Sequence, residues 1–575
     1  MRTQSLVLRP VGRTLAPLIL LFFLEAPHAS SGDSVDVSST FLSSNLPIIV
    51  INTEGKTIKD EPKVDVHMGI IDNGAAGRNN LTDPYNAYDG RIGIEIRGSS
   101  TQQFPKKQYA IETRDSLGND MDVSLLGLPA ESDWVLSAPY NDKSLMRDVV
   151  MYKIARSLGR YASRARYCEL VLNNDYKGVY ILLEKITRNK NRVSISKLTD
   201  ADTTGDALTG GYIVKVDKVE GSGTAGWYSG LPPFPGAWQR IYFQYHYPKA
   251  EDLLWSQQGY IQRFVRDFEI LMFLSDYADT ASGYPRLLDV GSFVDFFLLN
   301  ELGKNVDAYR LSTFMYKDRD SKGGKLVMGP IWDFNHAFGN CDYYDASLLQ
   351  GYQLTFLTGN LPFMQTDQFQ VPFWWKRLYE DAGFRERLAQ RWNALRTNEL
   401  SLDRIMSLVD SLASLLDESQ QRNFARWPVL GTYVWPNSFI GQTYQQEVDY
   451  LKNWVSGRVI WMDQQFGTTS VQAPQAGSAL AGGWSLSQNF PNPFNPTTEI
   501  RYCVGRNGDQ GSGVNKVKLA LYDLLGREVV TLVDKVMEPG ESSVTFNAAD
   551  LPSGVYVYRL HAGSYMTGRK MILLR

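Results

Sequence analysis

Two aspartates in the middle of the chain, Asp307 and Asp333, have surroundings suited to chemistry. Each follows an apolar segment, and Asp333 lies between Trp332 and Phe334, whose rings would partly exclude water from its carboxylate. Phosphoryl transfer needs two such carboxylates, one acting as the base and one holding Mg²⁺. Asn335 adds a neutral oxygen ligand beside the second carboxylate. The alternative is that both aspartates simply cap turns.

A short, hydroxyl-rich turn earlier in the chain has the composition of a phosphate-binding loop. It runs from Arg97 through Ser99 and Ser100, and Lys106 and Lys107 follow a few residues later. Backbone amides and hydroxyls in such a turn can bind phosphate, and a lysine can add a point charge. A Gly-Ser turn next to surface lysines has the same composition, so both interpretations stay open.

Two further charged residues stand at the ends of predicted elements. Arg147 falls in the first turn of a helix predicted from Ser144 to Gly159, where the helix dipole disfavours a cation. An anionic partner is one interpretation of this placement, and solvent exposure is the other. Glu184 closes a buried strand, where its carboxylate and the free backbone groups suit the edge of a purine. The alternative is a strand end that simply reaches solvent.

The elements that must position these residues change in character along the chain. Alternation and apolar runs predict strands at 46–51, 64–71, 91–96, 107–112, 167–172, 179–183 and 212–216. Helical spacing then predicts helices at 261–271, 293–302, 373–395, 402–419 and 444–466, with a short sheet element at 312–316 and 325–328. The sequence therefore predicts an α+β domain over 44–466, with a β-rich lobe at about 44–220 and a helical lobe at about 250–466.

The two ends of the chain have separate roles. Residues 1–31 combine arginines, a short apolar run and small residues, which is typical of a secretory signal peptide; a membrane anchor is the alternative. Residues 467–483 have the composition of a linker. The remaining residues, 484–575, alternate strands with turn signals and predict a small β-sandwich.

The composition excludes several classes of protein. A formal net charge of −3 argues against a strongly basic nucleic-acid binder, so no nucleic-acid partner is expected. The three cysteines and five histidines are scattered, which argues against a disulfide framework or a zinc site. No segment after the signal peptide is long and apolar enough to predict a stable transmembrane helix.

Taken in order, the motifs of residues 44–400 resemble those of the CotH kinase family, the spore-coat protein-H-like atypical kinases. The resemblance rests on Arg97-Gly98-Ser99-Ser100, Pro105-Lys106-Lys107, Trp134-Val135-Leu136, Leu145-Met146-Arg147, Gly178-Val179-Tyr180, Glu184-Lys185, Asn300-Glu301, Asn305-Val306-Asp307 and Trp332-Asp333-Phe334. It implies a two-lobed, kinase-like fold that uses ATP and a divalent metal, Mg²⁺ or Mn²⁺.

The same resemblance implies roles for individual residues. Asp307 would be the catalytic base, Asp333 would bind the metal, Lys106 or Lys107 would contact phosphate, and Glu184 would lie near adenine. The family pattern is not complete. Kinase catalytic loops place an asparagine five residues after the base as the second metal ligand.

The second metal position is where this chain departs from the pattern. Ser312 occupies the place of that asparagine and is a shorter, neutral ligand, so Asn305 or Asn335 would have to substitute. The residue after Phe334 is Asn335 rather than glycine, which does not support a kinase-type flip of this loop.

The C-terminal region resembles the type IX secretion C-terminal sorting domain, an Ig-like sandwich of the FlgD type. The matching stretches are Leu486 to Thr498, Leu521 to Val529 and Leu551 to Tyr556. The resemblance implies export by the type IX secretion machinery through 484–575, after a signal-peptide step into the periplasm, and a secreted or surface-attached protein. An ordinary ligand-binding Ig module is the alternative.

The sequence thus leads to a main functional hypothesis and its alternatives. The first is an exported protein kinase that transfers the γ-phosphoryl group of ATP to protein serine or threonine. The second is a catalytically silent, kinase-like scaffold or adhesin, suggested by Ser312 and by the scarcity of ATP outside cells. A glycoside hydrolase with paired carboxylates is a third possibility, but it leaves the lysine-bearing turn unexplained.

Overall fold

The structure is a computed structural model. It describes residues 41–74, 77–219, 225–467 and 485–573, the last range with gaps at 488, 493, 505–514, 524–526, 553 and 563–564. The predicted signal peptide and nearly all of the predicted linker lie outside the described residues.

The first half of the chain forms a closed barrel of seven strands. In chain order the strands are β1 (Ser43–Ser44), β2 (Ile48–Asn52), β3 (Val64–Ile71), β4 (Asn79–Asn80), β5 (Tyr88–Arg97), β6 (Gln108–Arg114), β7 (Asp133–Ser137), β8 (Ala165–Leu172) and β9 (Asp175–Glu184). The barrel order is β2-β3-β5-β6-β7-β9-β8, and β1 pairs with β4 outside it. It closes through a parallel pairing of β2 with β8, whereas the other barrel neighbours are antiparallel.

Strand β9 shows how the barrel is packed on both faces. Tyr180 and Leu182 belong to the core inside the barrel. Ile181 and Leu183 point the other way and join the large core shared with the helices. Because successive side chains of a strand point to opposite faces, a strand buried on both faces becomes a continuous apolar run.

A second sheet joins strands that are far apart in the chain. Two helices precede this sheet in the chain. Helix α1 (Arg147–Ser157) connects β7 to β8, and the short α2 (Gly205–Leu208) comes before β10. The sheet consists of β10 (Tyr212–Val216), β11 (Gly226–Tyr228), β12 (Tyr242–Tyr247), β13 (Thr313–Lys317) and β14 (Leu326–Met328). Its order is β11-β12-β10-β13-β14, and Val216 of β10 lies opposite Thr313 of β13.

In the described part of the chain, eight helices that follow the barrel pack around this sheet and the outer face of the barrel. They are α3 (Trp255–Phe273), α4 (Val290–Gly303), α5 (Gln353–Gly359), α6 (Leu361–Thr366), α7 (Phe373–Glu380), α8 (Ala382–Arg396), α9 (Leu402–Arg426) and α10 (Tyr444–Gln465). Helix α4 is central, with nearly every side chain buried. None of the helices in the described part of the chain is long and apolar enough to cross a membrane.

The C-terminal region forms two antiparallel sheets. Its strands are β15 (Ser485–Leu486), β16 (Thr497–Val504), β17 (Asn515–Tyr522), β18 (Glu528–Met537), β19 (Gly540–Asn547), β20 (Gly554–Ala562) and β21 (Tyr565–Leu573). One sheet has the order β15-β16-β19 and the other β18-β17-β20-β21. Apolar residues from both sheets share one core.

The predicted fold class is confirmed at the level of a mixed α and β domain followed by an all-β C-terminal region. The two-lobed kinase arrangement stays a prediction. The helical half also contributes strands to a sheet. Strands β12 and β13 pair with β10 from the first half, and β14 pairs with β13.

Candidate active site

A cleft of about 640 Å³ opens between the barrel and the second sheet. Its lining comes from the ends of β5, β6, β7, β9 and β10, from α1, and from the loops that flank the β13–β14 hairpin. The acidic lining residues are Asp60, Glu61, Glu95, Asp142, Asp148, Asp217, Asp307 and Asp333, and the basic ones are Arg97, Lys185, Lys215 and Lys218. This excess of carboxylates favours a ligand that brings a cation with it.

The β13–β14 hairpin explains why the two predicted aspartates meet in this cleft. Asp307 lies in the loop before β13, and Asp333 lies in the loop after β14. The strands pair antiparallel, with Met315 opposite Met328, so the loop entering the hairpin and the loop leaving it lie at the same end. Both aspartates line the cleft.

Asp333 is open to the cleft and weakly neutralised. Its Oδ2 accepts a hydrogen bond of 2.9 Å from the hydroxyl of Ser312. The surrounding protein displaces water and raises the pKa of the Asp333 carboxyl, which Arg97 and Ser312 oppose. The negative charges of Asp217 and Asp307 raise this pKa further. A cation bound here would relieve that repulsion.

Asp307 is more closely held. Its Oδ1 lies 2.9 Å from Nη2 of Arg310, and its Oδ2 lies 3.8 Å from Nδ1 of His336. Burial alone would raise the pKa of Asp307, but His336 and Arg310 outweigh burial and hold it below its usual range. The carboxylate is therefore ionised at neutral pH, as a base must be.

His336 is a site residue that sequence reasoning missed. The side-chain amide of Asn141 donates to Nε2 of His336 at 2.9 Å, so the ring proton is on Nδ1, which faces Asp307. Asn141 is itself fixed, because Asn340 and Asn437 donate to its backbone carbonyl. The only sequence signal was the position of His336 two residues after Phe334.

Arg97 is the cleft cation that most strongly favours the charged form of Asp333. It ends β5, its guanidinium lies 5.5 Å from the ring centre of Trp332, and it is half-exposed in the cleft. Among the described residues it makes no ion pair or hydrogen bond. Burial lowers the pKa of Arg97, and Asp333 opposes this. The cation is thus available to a ligand.

The predicted phosphate turn also lines the cleft. It forms a short 3₁₀ segment, Ser100–Gln103, and Ser99 and Ser100 both face the cavity. Gly98 has a φ of 101°, and a Cβ there would lie 2.1 Å from the hydroxyl of Thr101, so only glycine fits. The Thr101 hydroxyl is buried without a hydrogen-bond partner within the described ranges.

The two predicted lysines lie outside the cleft lining. Lys106 is 1% exposed, and its Nζ donates to the carbonyl of Val179 at 2.6 Å and to Oδ1 of Asn423 at 2.8 Å. Nζ of Lys107 donates to the carbonyl of Gln102 at 2.5 Å, which closes the turn. Both ammonium groups are used within the protein, so the geometry does not support a direct phosphate contact by either.

Arg147 and Glu184 are likewise placed away from the cavity. Arg147 is fully buried and lies 2.5 Å from Oδ1 of Asp142. Glu184 is fully buried, and its carboxylate accepts hydrogen bonds from Arg164 and from the hydroxyl of Tyr161. Both side chains have internal ion-pair partners, so the geometry does not support their predicted role as cofactor contacts.

Other residues line the cleft in their place. Lys185, Lys215 and Lys218 bring cations, and Asp148 and Asp217 bring carboxylates, none of which was predicted. Lys215 pairs with Asp217 at 2.9 Å, and Lys185 pairs with Asp133 at 2.8 Å. Lys185 directly follows Glu184, so the Glu184-Lys185 motif reaches the cleft through Lys185 rather than through Glu184.

The oxygen-bearing side chains of the cleft suit a divalent metal only under certain conditions. Among the described residues, no three His, Cys, Asp or Glu side chains are arranged to hold a metal by themselves. Mg²⁺ bound with a nucleotide needs only one or two carboxylates, because phosphates and water complete its shell. Asp333 with Ser312 fits that requirement, and Asn335 lines the same cleft. The site therefore suits a metal–nucleotide complex better than a resident metal.

The fold and the cleft together define a mixed α and β domain whose cavity is rich in carboxylates and also contains several cations. A C-terminal β module follows this domain in the chain. The family model for the CotH kinase protein matches residues 94–462, well over half of the chain. The chain belongs to the CotH kinase family. The model for the secretion system C-terminal sorting domain matches residues 488–574. A comparison with curated proteins finds no match.

The two matches together describe an exported CotH-family protein. The sorting domain implies a secreted or surface location and points to the type IX secretion machinery. It confirms the predicted sorting tail, although the FlgD-like detail stays a prediction.

Proposed function

We propose that the protein is an exported kinase that transfers the γ-phosphoryl group of ATP to serine or threonine of a protein. The observation that carries the proposal is that Asp307 and Asp333 line one cleft with Arg97 and the turn residues 98–102. Phosphoryl transfer is catalysed mainly by positioning and by charge neutralisation, which is what these groups offer.

Asp307 is suited to the acceptor hydroxyl. It is ionised, and the contacts from Arg310 and His336 fix the direction of its carboxylate. In the proposed reaction Asp307 orients the hydroxyl and accepts its proton as the hydroxyl oxygen bonds to the γ-phosphorus and the bond from that phosphorus to ADP breaks, which releases ADP. His336 holds this base and does not replace it.

Asp333 is suited to the metal, with Ser312 at its Oδ2 and Asn335 nearby. Mg²⁺ or Mn²⁺ would supply charge neutralisation at the β- and γ-phosphates. Arg97, Ser99 and Ser100 would contact the phosphates, the role that the family resemblance implied for Lys106 or Lys107.

The base of the nucleotide has its own candidate surface. Apolar side chains of β6, β7 and β9 line the cleft, namely Ala110, Val135, Ile181 and Leu183. An apolar slot beside polar strand ends is a common binding surface for a planar ring. In this arrangement adenine lies against these side chains rather than against Glu184.

The test compares the purified protein with its Asp333→Asn and Asp307→Asn variants. Labelled γ-phosphate transfer with Mg²⁺ or Mn²⁺ is measured, and thermal unfolding is followed with and without millimolar ATP and metal. We expect wild type to be stabilised by ATP and metal through mass action and to label itself or an acceptor. Both variants should lose labelling by more than about a hundredfold.

Asp449→Asn is the matched control, because Asp449 is an exposed acid on α10 far from the cleft in the chain. It should label and unfold like wild type. Equal labelling by wild type and Asp333→Asn would refute the proposal. Absence of any thermal shift with ATP and metal would favour the catalytically silent scaffold instead.

A further inference from the structure

Helix α1 makes two hydrogen bonds to consecutive amides at the proposed metal-binding aspartate. The backbone N–H of Asp333 donates to the hydroxyl of Tyr152 at 3.2 Å. The next N–H, that of Phe334, donates to Oδ1 of Asp148 at 2.7 Å. Tyr152 and Asp148 are one helical turn apart on α1, so they face the same loop.

The backbone that these bonds hold is strained. Asp333 has a φ of 57°, in the left-handed region that residues other than glycine rarely adopt. Such a conformation persists only where the surroundings fix it. Two consecutive amides bound by one helix fix the peptide groups on both sides of Asp333.

Side-chain packing holds the same loop from two further directions. The ring of Trp332 stacks on that of Tyr152, with centres 5.9 Å apart and an interplanar angle of 22°. Phe334 is buried against Gly303 at the end of α4, where an added Cβ would lie 3.3 Å from its ring. The loop is therefore clamped between α1, α4 and Arg97.

We propose that Tyr152 and Asp148 are positioning residues that set the direction of the Asp333 carboxylate through its backbone. The inference rests on the proposed function, because a metal-binding role for Asp333 is what gives its direction a consequence. Asp148 acts through its oxygen as an acceptor for the Phe334 amide, and Tyr152 acts through its hydroxyl. Without them the loop leaves the left-handed conformation and the carboxylate turns away from the phosphates.

Three substitutions separate the possible roles. Tyr152→Phe removes the hydroxyl and keeps the ring that stacks on Trp332. Asp148→Asn keeps an acceptor oxygen and removes the charge, whereas Asp148→Leu removes both. Tyr167→Phe is the matched control, because Tyr167 is also buried and hydrogen-bonded, to the carbonyl of Leu145, but lies outside the cleft lining.

The first measurement is independent of activity. Hydrogen exchange is followed on peptides that cover residues 332–338 of the full chain without nucleotide. We expect Tyr152→Phe and Asp148→Leu to exchange the amides of Asp333 and Phe334 at least tenfold faster, while Asp148→Asn and Tyr167→Phe stay close to wild type. Unchanged exchange in Tyr152→Phe and Asp148→Leu would overturn the clamp.

The second measurement is the affinity for ATP by calorimetry, with and without Mg²⁺. We expect the Mg²⁺-dependent part of the affinity to fall about five- to tenfold in Tyr152→Phe and Asp148→Leu and less than twofold in Asp148→Asn. Asp148→Asn as weak as Asp148→Leu would overturn the acceptor role in favour of the charge.

The two proposals fail in different ways. If wild type binds no ATP with Mg²⁺, the proposed kinase function fails, while the exchange data still decide whether the clamp exists. If wild type binds and the variants exchange faster but bind equally well, the clamp exists and its positioning role is refuted.

Discussion

Buried charges next to the barrel differ from two charged residues of the cleft, Arg97 and Asp333, in the partners that they have. In the barrel region Lys106, Arg147 and Glu184 are buried, and each bonds to protein groups. In the cleft, Arg97 has no ion pair among the described residues, and the nearest partner of Asp333 is the neutral Ser312. The first group was assigned to ligands from sequence, yet each of its side chains has a partner inside the protein, although Nε and Nη2 of Arg147 have no hydrogen-bond partner among the described residues.

The difference separates stability from function. A buried charge that has its partner contributes to stability mainly in the sense that losing the partner is costly. A cleft charge without an ion-pair partner contributes little to the free energy of unfolding, and it can be neutralised by a bound ligand. Substitutions in the two regions should therefore give opposite patterns of stability and nucleotide affinity.

The largest effect is expected for Arg147→Met. It leaves the carboxylate of Asp142 buried, with its remaining hydrogen bonds but without its cation. Breaking such a pair typically costs about 3–5 kcal/mol. Urea unfolding should show this loss, whereas the folded fraction should bind ATP and Mg²⁺ within twofold of wild type. Arg266→Met, in an exposed pair with Asp267, is the control and should change stability little. A large loss of affinity without a loss of stability would place Arg147 in the site after all.

Lys106→Met should destabilise the protein in a pH-dependent way. The loss of the Lys106 donors removes a hydrogen bond from the carbonyl of Val179 and leaves Oδ1 of Asn423 with only the backbone N–H of Val179, at a cost of about 1–3 kcal/mol. Burial lowers the pKa of Lys106 to about 7, so above pH 7 the unfolded chain binds one proton more than the folded one. Wild type therefore gains stability from pH 7 towards pH 10, and the variant lacks that gain. The difference in unfolding free energy should be larger at pH 9 than at pH 6, and equal differences would contradict the buried, neutral lysine.

Most local elements could be predicted from the sequence, because they depend on neighbours in the chain. The strands Val64–Ile71 and Tyr212–Val216 have the predicted bounds. The turn between β8 and β9 has positive φ at Asn173 and Asn174, as its turn residues indicate. Gly178, which was predicted to supply the positive φ of this turn, also has a positive φ but lies within β9. One predicted helix, 373–395, is divided at Asp381, whose carboxylate caps the second part.

Closure of the barrel could not be predicted in the same way. It depends on the parallel pairing of β2 with β8, whose residues are about 120 positions apart, and no local pattern encodes that register. Both strands are apolar on both faces, which is compatible with an open sheet as well as with a barrel.

The site was predictable only where elements that are local in the chain position its residues. Asp307 and Asp333 flank a local hairpin, so their proximity follows from elements visible in the sequence. The direction of a lysine side chain does not: Lys106 lies just before β6, and only the packed α9 shows that its Nζ meets Asn423. His336 depends on Asn141, which is far away in the chain.

Arg97→Met should give the pattern opposite to that of Arg147→Met. Because Arg97 has no internal ion pair among the described residues, the free energy of unfolding should change by less than about 1 kcal/mol. The affinity for ATP with Mg²⁺ should fall about tenfold, through loss of a charge-assisted phosphate contact. Calorimetry and urea unfolding on the same preparation check both, with Arg266→Met again as the control. Several kcal/mol of lost stability with unchanged affinity would make Arg97 a structural cation that merely stacks on Trp332.

The smallest effect is expected for Lys107→Met, which tests the sequence-based assignment directly. Nζ of Lys107 donates to the carbonyl of Gln102 and so holds the end of the turn that carries Ser99 and Ser100. Losing one partly exposed hydrogen bond should lower stability by about 0.5 kcal/mol or less, and the affinity for ATP by no more than about twofold. Lys107→Arg, which keeps a donor, should restore either loss. A tenfold loss of affinity in Lys107→Met would show that the ammonium leaves Gln102 and contacts phosphate. Lys107 would then belong with the cleft charges that bind the ligand, not with the charges that have partners inside the protein.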